Sequence, residues 1–288
     1  MGASHLRMPT GNIAKFGQLY LQNGVWEGKQ IVPKEWVKEA SSKQISNGNN
    51  DSSWGYGYGY QFWLNPPGGF RADGAFGQFS MVFPQLDAVV AITSESISTK
   101  DTMQIVWDVL LPEMKDVPLQ KNNAGHNQLL QELKALKYDP PKIEATSPVA
   151  SGVSGKEFIL DKNPFNAKSV SFTFEGDKCL FALKEDGKPD IIITNGAGYW
   201  VRKGNYKPSA HSLFSLRRID FDSIVAASFT WQDEKTLLLS WRLIETVHGD
   251  QLTCIFEDDK VLIKFLFSVN GLQNKPDDRK DVAGKMVV

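Results

Sequence analysis

Residues 70–95 read FRADGAFGQFSMVFPQLDAVVAITSE and hold the clearest structural pattern in the chain. Two apolar runs, Gln78 to Phe83 and Ala88 to Thr93, flank a four-residue connection that begins with Pro84. This pattern predicts two neighbouring antiparallel strands joined by a short turn. Gly74 and Gly77, just before the first run, allow the backbone to approach a bound group closely, although such glycines also occur simply where a strand begins.

Two helices are predicted upstream of this hairpin. Thr10 is placed to cap the first helix, Asn23-Gly24 supplies its stop, and Pro33 suits the first turn of the second. The first helix carries Ile13, Phe16 and Tyr20 on one face, and the second carries Trp36, Val37 and Ala40 on its inner side. We expect ordered structure to begin almost at residue 1, with no leader before it.

Between the helices and the hairpin lies WGYGYGYQFWL, which predicts an aromatic-rich strand from Trp54 in which glycines alternate with tyrosines. After the hairpin, Asp101 to Leu111 predicts a helix that ends at Pro112. Its expected inward residues are Met103, Val106, Trp107 and Leu110. Residues 1–112 are therefore expected to form one region of helices and antiparallel strands.

Residues 113–155 predict a linker with one docking helix that carries Leu129, Leu130, Leu133 and Leu136. The small, flexible stretch TSPVASGVSG places the domain boundary near residues 145–155. From residue 156 to 288, nearly every segment is a strand candidate bounded by turn residues. Examples are Glu157–Leu160, Val170–Phe174, Leu180–Leu183, Ile191–Thr194, Ala226–Trp231, Thr236–Leu243, Gln251–Phe256 and Val261–Phe267. About eight short strands predict an antiparallel β-barrel or sandwich, so the whole chain has an α+β fold class.

Composition argues against several function classes. The 288 residues contain 32 Lys and Arg against 33 Asp and Glu, so a net charge of −1 gives no broad attraction for nucleic acid or an acidic membrane. No apolar stretch is long enough for a membrane span or resembles a signal peptide. Cys179 and Cys254 are either plain core residues or a single disulfide in an exported protein, and ordinary Cys-based zinc sites are excluded.

The usual signatures of nucleophilic catalysis are absent from the sequence. No lysine has a serine three positions before it, so there is no Ser-x-x-Lys, and G-x-S-x-G is also missing. A Ser-x-Asn triplet occurs once, at Ser268-Val269-Asn270, where chance explains it better than catalysis.

The histidines and paired carboxylates also favour structural roles. His5, His126, His211 and His248 are scattered without metal-ligand spacing, and we expect no metal or cofactor. Asp258-Asp259 and Asp277-Asp278 are flanked by turn residues and are expected to face solvent.

Three segments in order resemble the last third of the serine β-lactamase and penicillin-binding-protein superfamily, and within it the class C-like hydrolases. They are RMPTGNIAKFGQLYLQNGVWEGKQIVPKEWVKEA, GYGYGYQFW and ADGAFGQFSMVFPQLDAVVAITSE, and together they span about residues 6–112. Residues 145–288 more loosely resemble the lipocalin-like β-domain appended to some of these enzymes, through TSPVASGVSGKEFILDKNP and WQDEKTLLLSWRLIET.

The resemblance implies a partial active site. Of the three catalytic elements of this superfamily, only the strand motif is present, as Ala72-Asp73-Gly74, with Ala72 where a basic residue is usual. The Ala75 N–H would be one of two oxyanion donors, Gly74, Gly77 and Gln78 would shape that edge, and Tyr58 or Tyr60 would line the cleft. Arg71 is adjacent, but neighbouring residues of a strand point to opposite faces.

The resemblance further implies that the nucleophile and its base belong to a longer parent chain, which acts outside the cytoplasm on an acyl or peptidic substrate. The isolated chain should therefore not hydrolyse such substrates. The alternative is a non-catalytic binding or assembly module built on the β-domain. A separate N-terminal hydrolase half, or self-association, would supply a partner.

Overall fold

The computed structural model describes residues 6–48, 53–66, 68–115, 117–143, 146–206 and 223–287. The chain divides into two compact units, Met1–Leu129 and Leu130–Val288. The first unit is a mixture of helices and antiparallel strands, and the second is a closed β-barrel. The α+β fold class is confirmed. Within the described ranges, no helix combines the length and apolar character that crossing a membrane requires.

The first unit is built on a four-stranded antiparallel sheet in the order β3-β4-β5-β6. Its strands are β3 (Trp63–Leu64), β4 (Phe70–Gly74), β5 (Gln78–Phe83) and β6 (Ala88–Ile92), and a small separate ribbon pairs β1 (Val25–Trp26) with β2 (Lys29–Gln30). Its helices are α1 (Thr10–Leu21), α2 (Lys34–Ala40), α3 (Thr99–Ile105), a π-helix (Val106–Leu110) and α4 (Leu111–Glu113). The predicted hairpin is β5–β6, with Val82 opposite Val89.

Helix α1 packs closely on one face of β5 and β6. A Cβ placed on Gly17 would lie 2.6 Å from Val89 Cγ1 and 2.7 Å from Ser80 Oγ, so only glycine allows this approach. On the opposite face, Met103 of α3 and Val106 of the π-helix are buried in one cluster with Phe79. The sheet therefore has a helical layer on each face.

Several local predictions were wrong. Thr10 begins α1 without capping it, since Pro9 occupies the cap position and the Thr10 hydroxyl contacts the Thr93 hydroxyl at 2.8 Å. Trp36 and Leu110 are exposed instead of inward. The helical structure continues through Pro112, because proline is tolerated in the first turn of α4.

The aromatic stretch from Trp54 is mostly irregular and becomes a strand only at Trp63. Its glycines serve close packing, since a Cβ on Gly59 would overlap the Ala40 carbonyl oxygen. A glycine-tyrosine alternation therefore marked close backbone approach and not a strand.

Helix α5 (Asn123–Ala135) forms where a docking helix was predicted, but it has no buried residue. Its four leucine positions, including Leu136 just beyond its end, are 51–74% exposed.

The second unit contains a short helix α6 (Ala150–Val153) and ten strands in one sheet. The strands are β7 (Lys156–Leu160), β8 (Ala167–Glu175), β9 (Lys178–Glu185), β10 (Ile191–Ala197), β11 (Val201–Tyr206), β12 (Ser223–Trp231), β13 (Thr236–Leu243), β14 (Gly249–Glu257), β15 (Lys260–Phe267) and β16 (Val282–Met286), with α7 (Ser268–Leu272) between the last two. All eight predicted strands are present. A parallel contact of β10 with β12 closes nine of the ten strands into a barrel.

Aromatic side chains fill the interior of the barrel. Phe172 of β8 contacts Phe256 of β14 at 5.2 Å between ring centroids, and these strands are not neighbours in the sheet. Trp231 contacts the same Phe256 at 5.9 Å. Cys179 and Cys254 are both free and fully buried in this core. Burial raises the pKa of each thiol far above the usual range of a cysteine.

One charged cluster is buried in the second unit. Arg279 donates two hydrogen bonds of 2.7 Å to the Asp250 carboxylate and two of 2.7–2.8 Å to Asp277, and its guanidinium lies 4.7 Å from the Phe265 ring centroid. Burial raises the pKa of Asp250 to about 6 in spite of Arg279. For Asp277, burial is outweighed by the Arg279 hydrogen bonds, and the pKa is lowered. The prediction that Asp277 faces solvent was wrong; Asp278 is exposed.

Candidate functional site

The candidate site is the tip of the β4–β5 hairpin. Gly74 pairs with Gln78, so only Ala75, Phe76 and Gly77 form the turn. Phe76 (φ 64°) and Gly77 (φ 84°) both adopt the left-handed region, which is unusual for phenylalanine and natural for glycine. The turn is therefore a sharp reversal, and Ala75 is its first residue.

A serine from outside the hairpin holds this turn in place. The Ser94 hydroxyl lies 2.8 Å from the Phe76 carbonyl oxygen and 2.9 Å from that of Gly77, while the Gln78 amide donates to the Ser94 carbonyl oxygen at 2.5 Å. A Cβ on Gly77 would overlap the Ser94 hydroxyl. The conformation of the turn is thus fixed by the contacts of Gly77, Gln78 and Ser94.

Ala75 is exposed to solvent. Among the residues that the structure describes, its backbone N–H has no hydrogen-bond acceptor, while its carbonyl oxygen accepts from Gln78 at 3.4 Å. In a turn of fixed conformation, an N–H without an internal acceptor can donate to an external oxygen.

Ala72 and Asp73 lie on opposite faces of β4. Ala72 pairs with Ser80 and packs with the apolar cluster that includes Phe62 and Phe70. The Asp73 carboxylate accepts hydrogen bonds of 3.1 Å from Arg71 Nε and from Trp54 Nε1.

Arg71 is fully buried and structural. Besides Asp73, its guanidinium donates to the Asn65 side chain and to the Ser53 carbonyl oxygen, both at 3.1 Å. Burial lowers the pKa of Arg71 against the influence of Asp73. Arg71 cannot act in place of a basic residue at position 72, because its side chain is held on the other face of the strand.

The two tyrosines proposed for the cleft contact other aromatic residues. Tyr58 meets Trp63 edge-on at 4.8 Å, and Tyr60 stacks on Trp36 at 5.5 Å with an 8° angle between the rings. Tyr60 is 43% exposed. Sequence reasoning assigned no role to Ser94 or Trp54, although Ser94 lies in the 70–95 segment and Trp54 begins the aromatic stretch.

The other sequence candidates have structural roles or lie outside the described residues. Ser268 accepts a hydrogen bond from the Gly249 N–H, and Asn270 donates to the Pro276 carbonyl oxygen. His5 and His211 fall outside the described ranges. Over the described ranges, no group of three His, Cys, Asp or Glu side chains could hold a metal ion.

A serine near a lysine does occur on the barrel. The Ser169 hydroxyl donates to the Glu157 carboxylate at 2.5 Å, and Lys184 Nζ lies 3.0 Å from the same oxygen, beside a shallow depression of about 200 Å³. Hydrogen bonds from Ser169 and Lys184 lower the pKa of Glu157, which makes it a poor base for activating the hydroxyl. This arrangement lacks the activation that a nucleophile needs.

Comparisons with known proteins give structural similarity that is only distant. No protein-family model matches the chain, and no curated protein matches it either. Among solved structures, the octameric penicillin-binding protein homologue from Pyrococcus abyssi aligns over 94% of this chain at 12% identity, with a TM-score of 0.28. The chain spans about half (46%) of the length of that protein. A similarity of this size establishes neither the fold nor the activity of this chain.

Proposed function

We propose that this chain is the C-terminal portion of a β-lactamase-related serine hydrolase and carries one wall of an acyl-transfer site. The observation that carries the proposal is the clamped hairpin tip, whose exposed Ala75 N–H follows the Ala72-Asp73-Gly74 strand motif. In such a site the N–H would stabilise the negative charge that develops on a substrate carbonyl oxygen.

In this proposal, the nucleophile and base come from residues outside the chain. The sequence contains no Ser-x-x-Lys, and Ser169 contacts a carboxylate of lowered pKa. An oxyanion donor without an attacking group gives no acyl-enzyme. The chain alone is therefore expected to bind an acyl group weakly and to leave it intact.

The alternative, a ligand-binding barrel, has less support. Phe172, Trp231 and Phe256 meet across the interior, so side chains occupy the volume that a ligand would need. We propose instead that the barrel is an accessory domain. Helix α5, which carries Leu129, belongs to the segment that connects this domain to the first unit.

A covalent probe tests the proposal. A fluorophosphonate or a labelled penicillin should leave this 288-residue chain unlabelled, and should label a chain extended upstream to include Ser-x-x-Lys. Acylation of the 288-residue chain alone would contradict the assignment.

The extended chain also tests the role of Ala75. Ala75→Pro removes the N–H and should slow acylation about 100- to 1,000-fold, the usual cost of losing one oxyanion donor. Ala75→Gly keeps the N–H and is the matched control. Equal acylation rates for the proline variant and the control would exclude Ala75 from the oxyanion site.

A further inference from the structure

Residues 138–143, between α5 and α6, lie against the outer wall of the barrel, and we call them the strap. The Trp200 indole N–H donates to the Tyr138 carbonyl oxygen at 2.7 Å, and the two rings stack at 6.2 Å with an angle of 8°. Arg242 of β13 donates to the Tyr138 hydroxyl at 2.8 Å, and its guanidinium lies 5.3 Å from the centroid of the tyrosine ring. Trp200 directly precedes β11, and β11 and β13 flank β12 in the sheet. The first residue of the strap is therefore held from both sides of β12.

The other end of the strap contacts β12 and the turn that follows β10. The Ile143 N–H donates to the Thr230 hydroxyl of β12 at 2.9 Å. Lys142 packs on Gly198, since a Cβ on this glycine would lie 2.6 Å from Lys142 Cδ. Pro140, between the two ends, is buried. The strap is thus attached along its length to the part of the wall where β10 meets β12.

The outer face of β12 is buried although side chains on the outside of a barrel commonly meet water. The odd-numbered residues of β12 from 225 to 231 belong to the core cluster, so Ala226, Ser228 and Thr230 point outward. These three residues are only 1–3% exposed. The Ser228 hydroxyl donates to the Gly196 carbonyl oxygen of β10 at 2.9 Å. The strap covers this face at Thr230, beside the contact between β10 and β12.

We propose that the strap is a latch for the β10–β12 contact, which separates only after residues 138–143 leave the wall. Only two residue pairs join β10 to β12, the shortest pairing between neighbouring strands of the barrel. The strap is attached on both sides of this contact, at Gly198 after β10 and at Thr230 in β12, so the two strands cannot part while both attachments hold. The strap thereby controls access to the core of the barrel. This latch requires nothing of the hydrolase proposal.

Amide exchange of the full chain tests the latch. Tyr138→Ala combined with Pro140→Ala weakens the strap without changing any residue of the barrel wall. The Gly198 N–H, which donates to the Phe229 carbonyl oxygen at 3.2 Å, reports on separation of β10 from β12. Its exchange should become about tenfold faster, the effect of losing an aromatic pair together with a cation–π contact. The amides of β16, about halfway around the barrel from this contact, should keep their rates.

Access to the core has its own measurement. Cys179 and Cys254 are fully buried in the barrel, so a thiol reagent reaches them only when the wall opens. In the strap variant both thiols should react faster, by a factor similar to that measured for the Gly198 amide. Unchanged thiol reactivity would overturn the proposal, because the strap would then not control access to the core.

Lys137→Ala combined with Asp139→Ala is the matched control, since these two side chains are exposed and form an ion pair with each other. The control should exchange and react as the wild type does. Equal Gly198 exchange in the two double variants would overturn the proposal. Equal acceleration at β16 would do so as well, because the strap would then only add general stability. If the strap variant misfolds, Tyr138→Phe decides: it loses the hydroxyl that binds Arg242, and the Gly198 amide must still exchange faster than in the wild type.

Discussion

Replacing Arg279 with methionine is expected to destabilise the barrel by about 3–5 kcal/mol, the usual cost of removing one partner from a buried ion pair. The Asp250 side chain is 1% exposed, and both of its oxygens accept hydrogen bonds from Arg279. Methionine cannot donate to a carboxylate, so the substitution leaves Asp250 buried without the Arg279 hydrogen bonds. Asp277 adds a second negative charge nearby, so the loss should lie at the upper end of that range.

The measurement is urea unfolding with linear extrapolation, combined with amide exchange of residues 249–257 to follow the barrel separately from the first unit. Arg279→Lys keeps the charge but cannot donate to both carboxylates in the planar, bidentate geometry, so we expect an intermediate loss. Replacing Asp250, Asp277 and Arg279 together by uncharged residues should cost much less than Arg279→Met alone, because no uncompensated charge remains. A loss below about 0.5 kcal/mol for Arg279→Met, the level of an ordinary surface substitution, would refute the role assigned to the cluster.

Three further predictions concern stability and are checked by the same unfolding measurement. Gly17→Ala should destabilise the first unit through its clash with β6, whereas Gly11→Ala, which meets nothing within 4 Å, should be neutral or stabilising by up to about 1 kcal/mol; equal effects would contradict the close packing. Asn195→Ala should cost about 1–3 kcal/mol, because it removes the acceptor 2.7 Å from the buried Trp241 N–H, and the loss should shrink in a Trp241→Phe background. The unfolding free energy should rise by about 1 kcal/mol as the pH falls from 7 to 5, since the raised pKa of Asp250 makes the folded state bind the proton more tightly than the unfolded state; Asp250→Asn should abolish that rise.

The sequence predicted the strands whose apolar residues form uninterrupted or alternating runs. It missed β11 and β16, where Gly204 and Gly284 interrupt the pattern. A Cβ on Gly284 would lie 2.8 Å from Leu160 Cδ2 and 3.1 Å from the Ile159 carbonyl oxygen, so a side chain here would crowd a strand more than a hundred residues away. Such a requirement depends on the assembled barrel and has no local signal.

The candidate site was predictable only along one strand and its turn. The alternation rule placed Arg71 and Ala72 on opposite faces of β4, and the structure shows this arrangement. Ser94 was overlooked, although the four-residue turn pairs Phe83 with Ala88 and the same register places Ser94 opposite Gly77. Charged residues next to turn residues suggested solvent exposure at Asp277, whereas Arg279 two residues later forms a buried pair with it.

The β10–β12 contact has a consequence for how the barrel opens. This parallel contact matches only Gly196 with Ser228 and Ala197 with Phe229, while the neighbouring antiparallel pairs run over many residues. Separating this short contact costs less free energy than separating a long antiparallel strand pair. Thermal fluctuations should therefore open the barrel between β10 and β12 first and expose the core near Trp231 before the remaining strands unfold.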